Sequence, residues 1–224
     1  MAQDIDDFEI QEWRKRLRFL ADIIFATAMT IMVLKLEVPD FGHITSTAEL
    51  AKFLLKQLSN MWVYLIAFII VAVYWMKHFG VTLKVNQTYM WFQLIFLGLI
   101  VLIPFWNSYI SLFPENVAIK VFLSLNMVLV GLFSFLSMSY AANPKHRLIH
   151  DKVSESAILE TKKQILTEPA IAIVAAALAF INPSLWDLAF IMVPIFFMAR
   201  KKLVNVKYFK LSQKKDSSDT NAEA

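Results

Sequence analysis

The sequence predicts an all-α integral membrane protein with six transmembrane helices, and three observations carry that prediction. Hydrophobic residues fill 58% of 224 positions and charged residues 18%, more apolar surface than a soluble domain of this size conceals. The apolar residues gather into segments long enough to span a bilayer as helices, separated by polar connections. The basic residues concentrate in alternate connections, the charge signature of a multi-spanning chain. With no cysteine, disulfides, thiolate nucleophiles and cysteine-ligated metals are excluded.

The first segment, Arg16–Pro39, organises the rest. A basic cluster (Arg14, Lys15, Arg16 and Arg18) leads into an apolar run from Phe19 to Val38, about the length that crosses hydrocarbon as a helix. The acids of Met1–Glu12 make a poor signal-peptide start and no small-residue cleavage site follows the run, so this helix is expected to stay in the mature protein. Asp22, Thr27 and Thr30 interrupt it. A carboxylate there must face protein or water rather than acyl chains.

The second span is expected over Met61–Met76, the third over Thr88–Tyr109 with Pro104 inside, and the fourth over Val117–Ala142. Ser46-Thr47-Ala48-Glu49 is a capping-box pattern ahead of Leu50, Phe53, Leu54 and Leu58, read as a short amphipathic helix on the membrane surface or against neighbouring spans. The polar loop Asn143–Glu168 holds a helical stretch near Ser156–Leu166 that extends the fifth span, Pro169–Ile181, into the cytosol. Asn182-Pro183-Ser184 is a turn signal before the sixth span, Ser184–Ala199, which Pro194 should bend.

Orientation follows from the lysines and arginines. With the N-terminus inside, eighteen of the 22 fall on cytoplasmic segments, and only Lys35, Lys52, Lys56 and Lys120 lie elsewhere, which puts both termini in the cytoplasm. This also explains the pI near 9.2 without nucleic acid. Trp62, Trp91, Trp106 and Trp186 lie near span ends, as interfacial anchors do. The expected organisation is a cytoplasmic N-terminal segment (1–15), a six-helix transmembrane domain (16–202) and a cytoplasmic disordered tail (203–224).

No catalytic constellation is present, so the chain is not read as an enzyme, and no cofactor or metal is expected. His43, His78, His146 and His150 share no ligand geometry with acids; solvated loop residues are the plainer reading. Only four glycines occur and no Thr-Val-Gly-Tyr-Gly filter. At about 100° per residue, Ile23, Ile31, Leu34 and Val38 fall within about 40° of Thr27, with Thr30 about 60° to one side. That stripe suits either packing against copies of the same helix around an axis or an ordinary packing face within one subunit. Asp22 lies about 140° from the stripe and points back into the surrounding helices. Arg18 shares its face; Arg16 is on the far side of the helix, so an Arg16–Asp22 bond needs an intervening group. His78, at the cytoplasmic end of the second helix, is at a suitable depth to be its partner.

These residues resemble the prokaryotic relatives of the lysosomal and endosomal potassium channel. In that family the first helix carries Arg-x-x-x-Phe-Ser-Asp, a run of the type Gly-Val-Phe-Ala-Ile-Ala-Ile-Thr-Leu-Leu-Val-Leu, and a proline. Arg16, Asp22, Phe25, Ala26, Thr30, Val33, Leu34 and Pro39 match this frame, as do Trp75-x-x-His78 after the second span and Trp91, Leu94, Leu97 and Pro104-Phe105 in the third. Leu20-Ala21 stands in place of Phe-Ser, Gln93 in place of an asparagine, and Thr27 in place of a large aliphatic residue. The resemblance covers Arg16 to Tyr109; the later half agrees in hydropathy and span count.

The resemblance implies six-span subunits assembled as a homotetramer in the inner (plasma) membrane, with the first helix of each lining a central pore for potassium or other monovalent cations. It implies Ile23, Thr27, Ile31 and Leu34 as pore-lining and gate residues, Thr30 as a polar selectivity layer, and Arg16, Asp22 and His78 as a supporting network. Rival readings are a weakly selective cation or proton-conducting channel, and a secondary transporter coupled through Asp22. The absence of internal repeats with matched broken helices speaks against the transporter.

Overall fold

The computed structural model describes residues 2–34, 46–78, 84–146, 148–149 and 153–192, excepting the side chains of 2–9, 34, 56–60, 62, 63 and 77. Its described part is built of helices: α1 (Ala2–Leu34), α2 (Thr47–Lys77), α3 (Gln87–Leu112), α4 (Val117–Ala141) and α5 (Glu155–Ala179), then a helical segment over 183–192. α3 packs on α4 and α4 on α5, while α1 lies against α2 and α3.

Each start has a local cause. Ser46 caps α2 through the full capping box, its hydroxyl accepting from Glu49 N while the Glu49 carboxylate accepts from Ser46 N. Asn86, Asn116 and Ser154 cap α3, α4 and α5 by accepting from backbone N–H three residues on. Asn182 closes the last turn, its Oδ1 accepting from Ser184 N at 2.9 Å.

Two sequence expectations change. α1 begins at Ala2, so the segment before Arg16 is helical and continuous with the apolar run, with an exposed Lys15–Glu12 pair at 2.9 Å along it. The amphipathic helix and the second span are one helix, α2, because Ser59-Asn60 between them are weak helix formers but not breakers. The polar helical stretch does extend the fifth span, as expected: the two are continuous in α5, with Pro169 inside it. Residues 35–45, which include Lys35, Pro39 and His43, fall outside the described residues, as do His150 and everything after 192. α3 and α4 are long and apolar enough to cross a membrane, and Tyr64–Met76 of α2 is a shorter apolar stretch.

The Pro169 ring of α5 sits in a notch on α4. A Cβ on Gly131 would land on the Pro169 ring, so this glycine is required for close approach of α4 to α5. Gly131→Ala should lower thermal stability in detergent by on the order of 1–3 kcal/mol, the usual cost of overpacking. Wild-type melting for this variant would mean the two helices slide apart freely.

A second tie joins α4 to the last hairpin. Lys120 is fully buried, and its ammonium donates to the Pro183 carbonyl and to Asp187 Oδ2, both at 2.8 Å, beside the Trp186 ring. Trp186 is itself buried and donates from Nε1 to Ser124 Oγ at 2.8 Å; it is a core residue, not an interfacial anchor. Since the Asp187 side chain is 46% exposed, Lys120→Ala should cost on the order of 1–3 kcal/mol, mainly through packing and the orphaned Pro183 carbonyl. Lys120→Met should recover part of that in a thermal melt, and an equal loss in both variants would assign the stability to the charge.

Candidate functional site

The site is built on α1, whose two faces have opposite fates. Leu17, Ala21, Phe25, Ala28 and Met32 are buried against α2 and α3, recurring at the spacing of a packed helical stripe. Opposite them, Ile23 (47% exposed) and Ile31 (37% exposed), together with Thr27 and Thr30, are open on the surface of a single subunit. Leu34 ends α1 and its side chain falls outside the described residues. The stripe marked out by spacing is thus not a packing face within the subunit. The Thr30 hydroxyl donates to the Ala26 carbonyl at 2.8 Å, so the donor is used within the helix and oxygen lone pairs are left as acceptors.

Asp22 accepts a hydrogen bond from Trp75 Nε1 of α2 at 2.8 Å. Trp75 is a partner that spacing did not single out; its place three residues before His78 puts it one turn back on α2. His78 is wedged between α1 and α3, edge-on to Phe25 with centroids 5.4 Å apart and stacked on Phe96 at 5.4 Å. The Arg16 guanidinium lies 5.7 Å from the Trp13 ring centroid on its own helix. The structure therefore brings Asp22 and His78 to one end of the α1–α2 contact.

His78 follows the last residue of α2. Burial pushes its imidazole down from the ordinary 6.5 to about 4, the Asp22 carboxylate opposing this and Arg18 adding to it. A neutral buried imidazole contributes stability that is complete above pH 6.5 and is lost as pH falls toward 4, because the unfolded chain takes up the proton first. Thermal stability in detergent should fall across that window, and His78→Gln should flatten the fall. An unchanged pH slope in the variant would assign it to other groups.

His146, in a turn and half-buried, also stacks on Tyr140 at 4.0 Å. Among the described residues no group of three or more histidines, cysteines or acids is placed to hold a metal.

Residues 16–104 match the family described as endosomal/lysosomal potassium channel TMEM175. A potassium channel of Chamaesiphon minutus is 25% identical over 175 residues, covering 75% of this chain and 84% of the relative. The fold is that of a lysosomal potassium-selective channel TMEM175 homologue from Chamaesiphon minutus, whose crystal structure superposes with a TM-score of 0.70 at 22% identity over 83% of this chain and 96% of that one. A variant of the potassium channel MtTMEM175, crystallised with a nanobody fusion, superposes at 0.55 with 15% identity over 85% and 93%. These relatives are ion channels, not enzymes.

Proposed function

We propose, for a chain that is a relative of the prokaryotic TMEM175 channels, that it is a potassium-permeable cation channel whose pore is formed by α1 from four copies, with no carbonyl selectivity filter. The observation that carries this is the exposed stripe of Ile23, Thr27, Thr30 and Ile31 on a helix whose opposite face is buried. One such stripe encloses no water path; a closed ring of copies does. Ile23, Thr27, Ile31 and Leu34 line the pore and its gate. Thr30 offers oxygen lone pairs to a partly dehydrated cation. Arg16, Asp22 and His78 hold the cytoplasmic end of α1, Asp22 through Trp75. Each subunit spans the inner (plasma) membrane six times with both termini cytoplasmic, residues 16–202 forming the channel domain, 1–15 a cytoplasmic lead-in and 203–224 a cytoplasmic tail. No cofactor or nucleic acid takes part.

Flux from liposomes under a potassium gradient, with sodium as the competing ion, tests the function. A reconstituted protein that passes neither ion while remaining tetrameric would sink the proposal, and a monomer by mass in detergent would sink the pore.

A further inference from the structure

Glu168 is a buried carboxylate that the proposed pore does not use. It stands on α5 with 4% of its surface exposed, where the polar part of that helix passes into the apolar part. An ionisable group inside a membrane bundle is costly, and an aliphatic side chain would fill the same space without that cost. Glu168 faces Tyr74 of α2, which is also buried and whose hydroxyl feels the charge of the carboxylate. A buried phenol is satisfied by such an acceptor. Among the described helices α5 packs along α4, so this contact reaches over to α2 through side chains alone.

The carboxylate has a firm base, because Pro169, the next residue, is seated against Gly131 of α4. From Tyr74 the contact continues through rings. Tyr74 meets Phe96 of α3 edge-on with centroids 6.0 Å apart, and Phe96 lies 6.2 Å from Phe25 of α1. His78 stacks on Phe96 and stands edge-on to Phe25. Phe25 is fully buried and turned about 160° from Thr27, so it backs the pore stripe from almost directly behind. Close-packed interiors yield little; whatever holds Phe25 forward therefore holds Thr27 and Ile31 toward the pore axis.

We infer that Glu168 is a positioning residue of the pore, acting through Tyr74 and the Phe96–Phe25 contact to hold α1 at its distance from the axis. The inference rests on the pore reading and extends it to a helix outside the pore lining. Without the carboxylate, the Tyr74 ring loses the tether that fixes its tilt. The backing of Phe25 then loosens and the hydrophobic layer at Ile31 widens.

Tyr74→Phe removes the hydroxyl and keeps the ring, Glu168→Ala removes the carboxylate, and Glu168→Gln keeps its size and an acceptor oxygen. Full-length protein in liposomes is assayed for potassium flux and for the potassium-to-sodium flux ratio, each scaled to the amount of tetramer measured by mass. Tyr74→Phe and Glu168→Ala are expected to raise basal flux severalfold and to lower the ratio. The double variant should go no further than either alone, because both cut one contact. Glu168→Gln should undo most of the change seen with Glu168→Ala, and Val174→Ala, at a position 56% exposed on α5, should leave both readouts unmoved. Should Glu168→Ala fail to assemble, Tyr74→Phe alone and combined with Glu168→Gln carries the same comparison. Flux per tetramer that is unchanged or lower in Tyr74→Phe, with only the melting temperature reduced, would make the pair a structural tie and overturn the inference. Fully additive effects would overturn it as well, since they deny coupling between the two residues. A wild type that passes no ion refutes the pore reading itself, whereas a conducting wild type with an unmoved Tyr74→Phe refutes this inference alone.

Discussion

Ile31→Asn is expected to raise basal potassium flux from liposomes by about tenfold or more, equivalent to removing about 1.4 kcal/mol of barrier. Ile31 is an apolar, exposed residue on the proposed pore stripe, and a ring of four such side chains opposes ions by excluding water. Thr27, one turn earlier, already brings a hydroxyl and less bulk where the resembling family has a large aliphatic residue. The hydrophobic barrier is therefore expected to lie outward of Thr27, at Ile31 and Leu34. Leu34→Asn should act like Ile31→Asn, and Thr27→Asn should change flux much less. An equal or larger effect at Thr27 would put the gate back at that layer, and an effect greatest at Ile23→Asn would mean the helix is rotated in the assembly.

Asp22→Leu is expected to be the most damaging change to assembly. It leaves the Trp75 indole N–H without its acceptor and places an aliphatic group where a carboxylate was held. Asp22→Asn keeps an acceptor oxygen but loses the charge-assisted strength of the bond, so it should fall between Asp22→Leu and the wild type in tetramer yield and melting temperature. With Trp75→Phe the pair forms a double-mutant cycle whose coupling should be on the order of 1–3 kcal/mol, the range for a hydrogen bond to a charged group. Additive losses would show that the two residues act separately. Normal assembly with altered ion preference would instead make Asp22 part of the permeation path.

Much of the helical framework was legible from local chemistry. The Ser46–Glu49 capping box, the turn at Asn182-Pro183-Ser184 and the limits of α3 and α4 all depend on residues within a few positions of one another. The stripe on α1 was also legible as a stripe, since its geometry is that of one helix. Spacing could not say whether that face packs within the subunit, because the answer depends on which helices lie beside α1.

Side-chain partners across helices were less legible. Asp22 was expected to look toward His78 and the arginines, and spacing gave no sign that Trp75 also donates to it. Tryptophan near a span end is usually read as an interfacial anchor, and the hydropathy of Trp75 or Trp186 does not disclose a committed indole N–H. Lys120 was counted only as one of the four lysines off the cytoplasmic segments, and its burial beside the Pro183 carbonyl and Asp187 was not legible. Its partners lie more than sixty residues away in sequence.

The sequence by itself determined that the chain is helical and built for a membrane, where α3 and α4 begin and end, and which residues of α1 share a face. Composition, capping and periodicity are properties of a single segment, and they hold whatever the segment packs against. Tertiary structure alone decided that Leu17, Ala21, Phe25, Ala28 and Met32 are the buried side of α1, that Ile23, Thr27, Thr30 and Ile31 are the open side, and that Gly131 makes room for Pro169. The physical reason is that lipid and protein are both apolar surroundings. In a membrane helix, hydrophobicity cannot tell the face that packs from the face that does not, and only the positions of the neighbouring helices can.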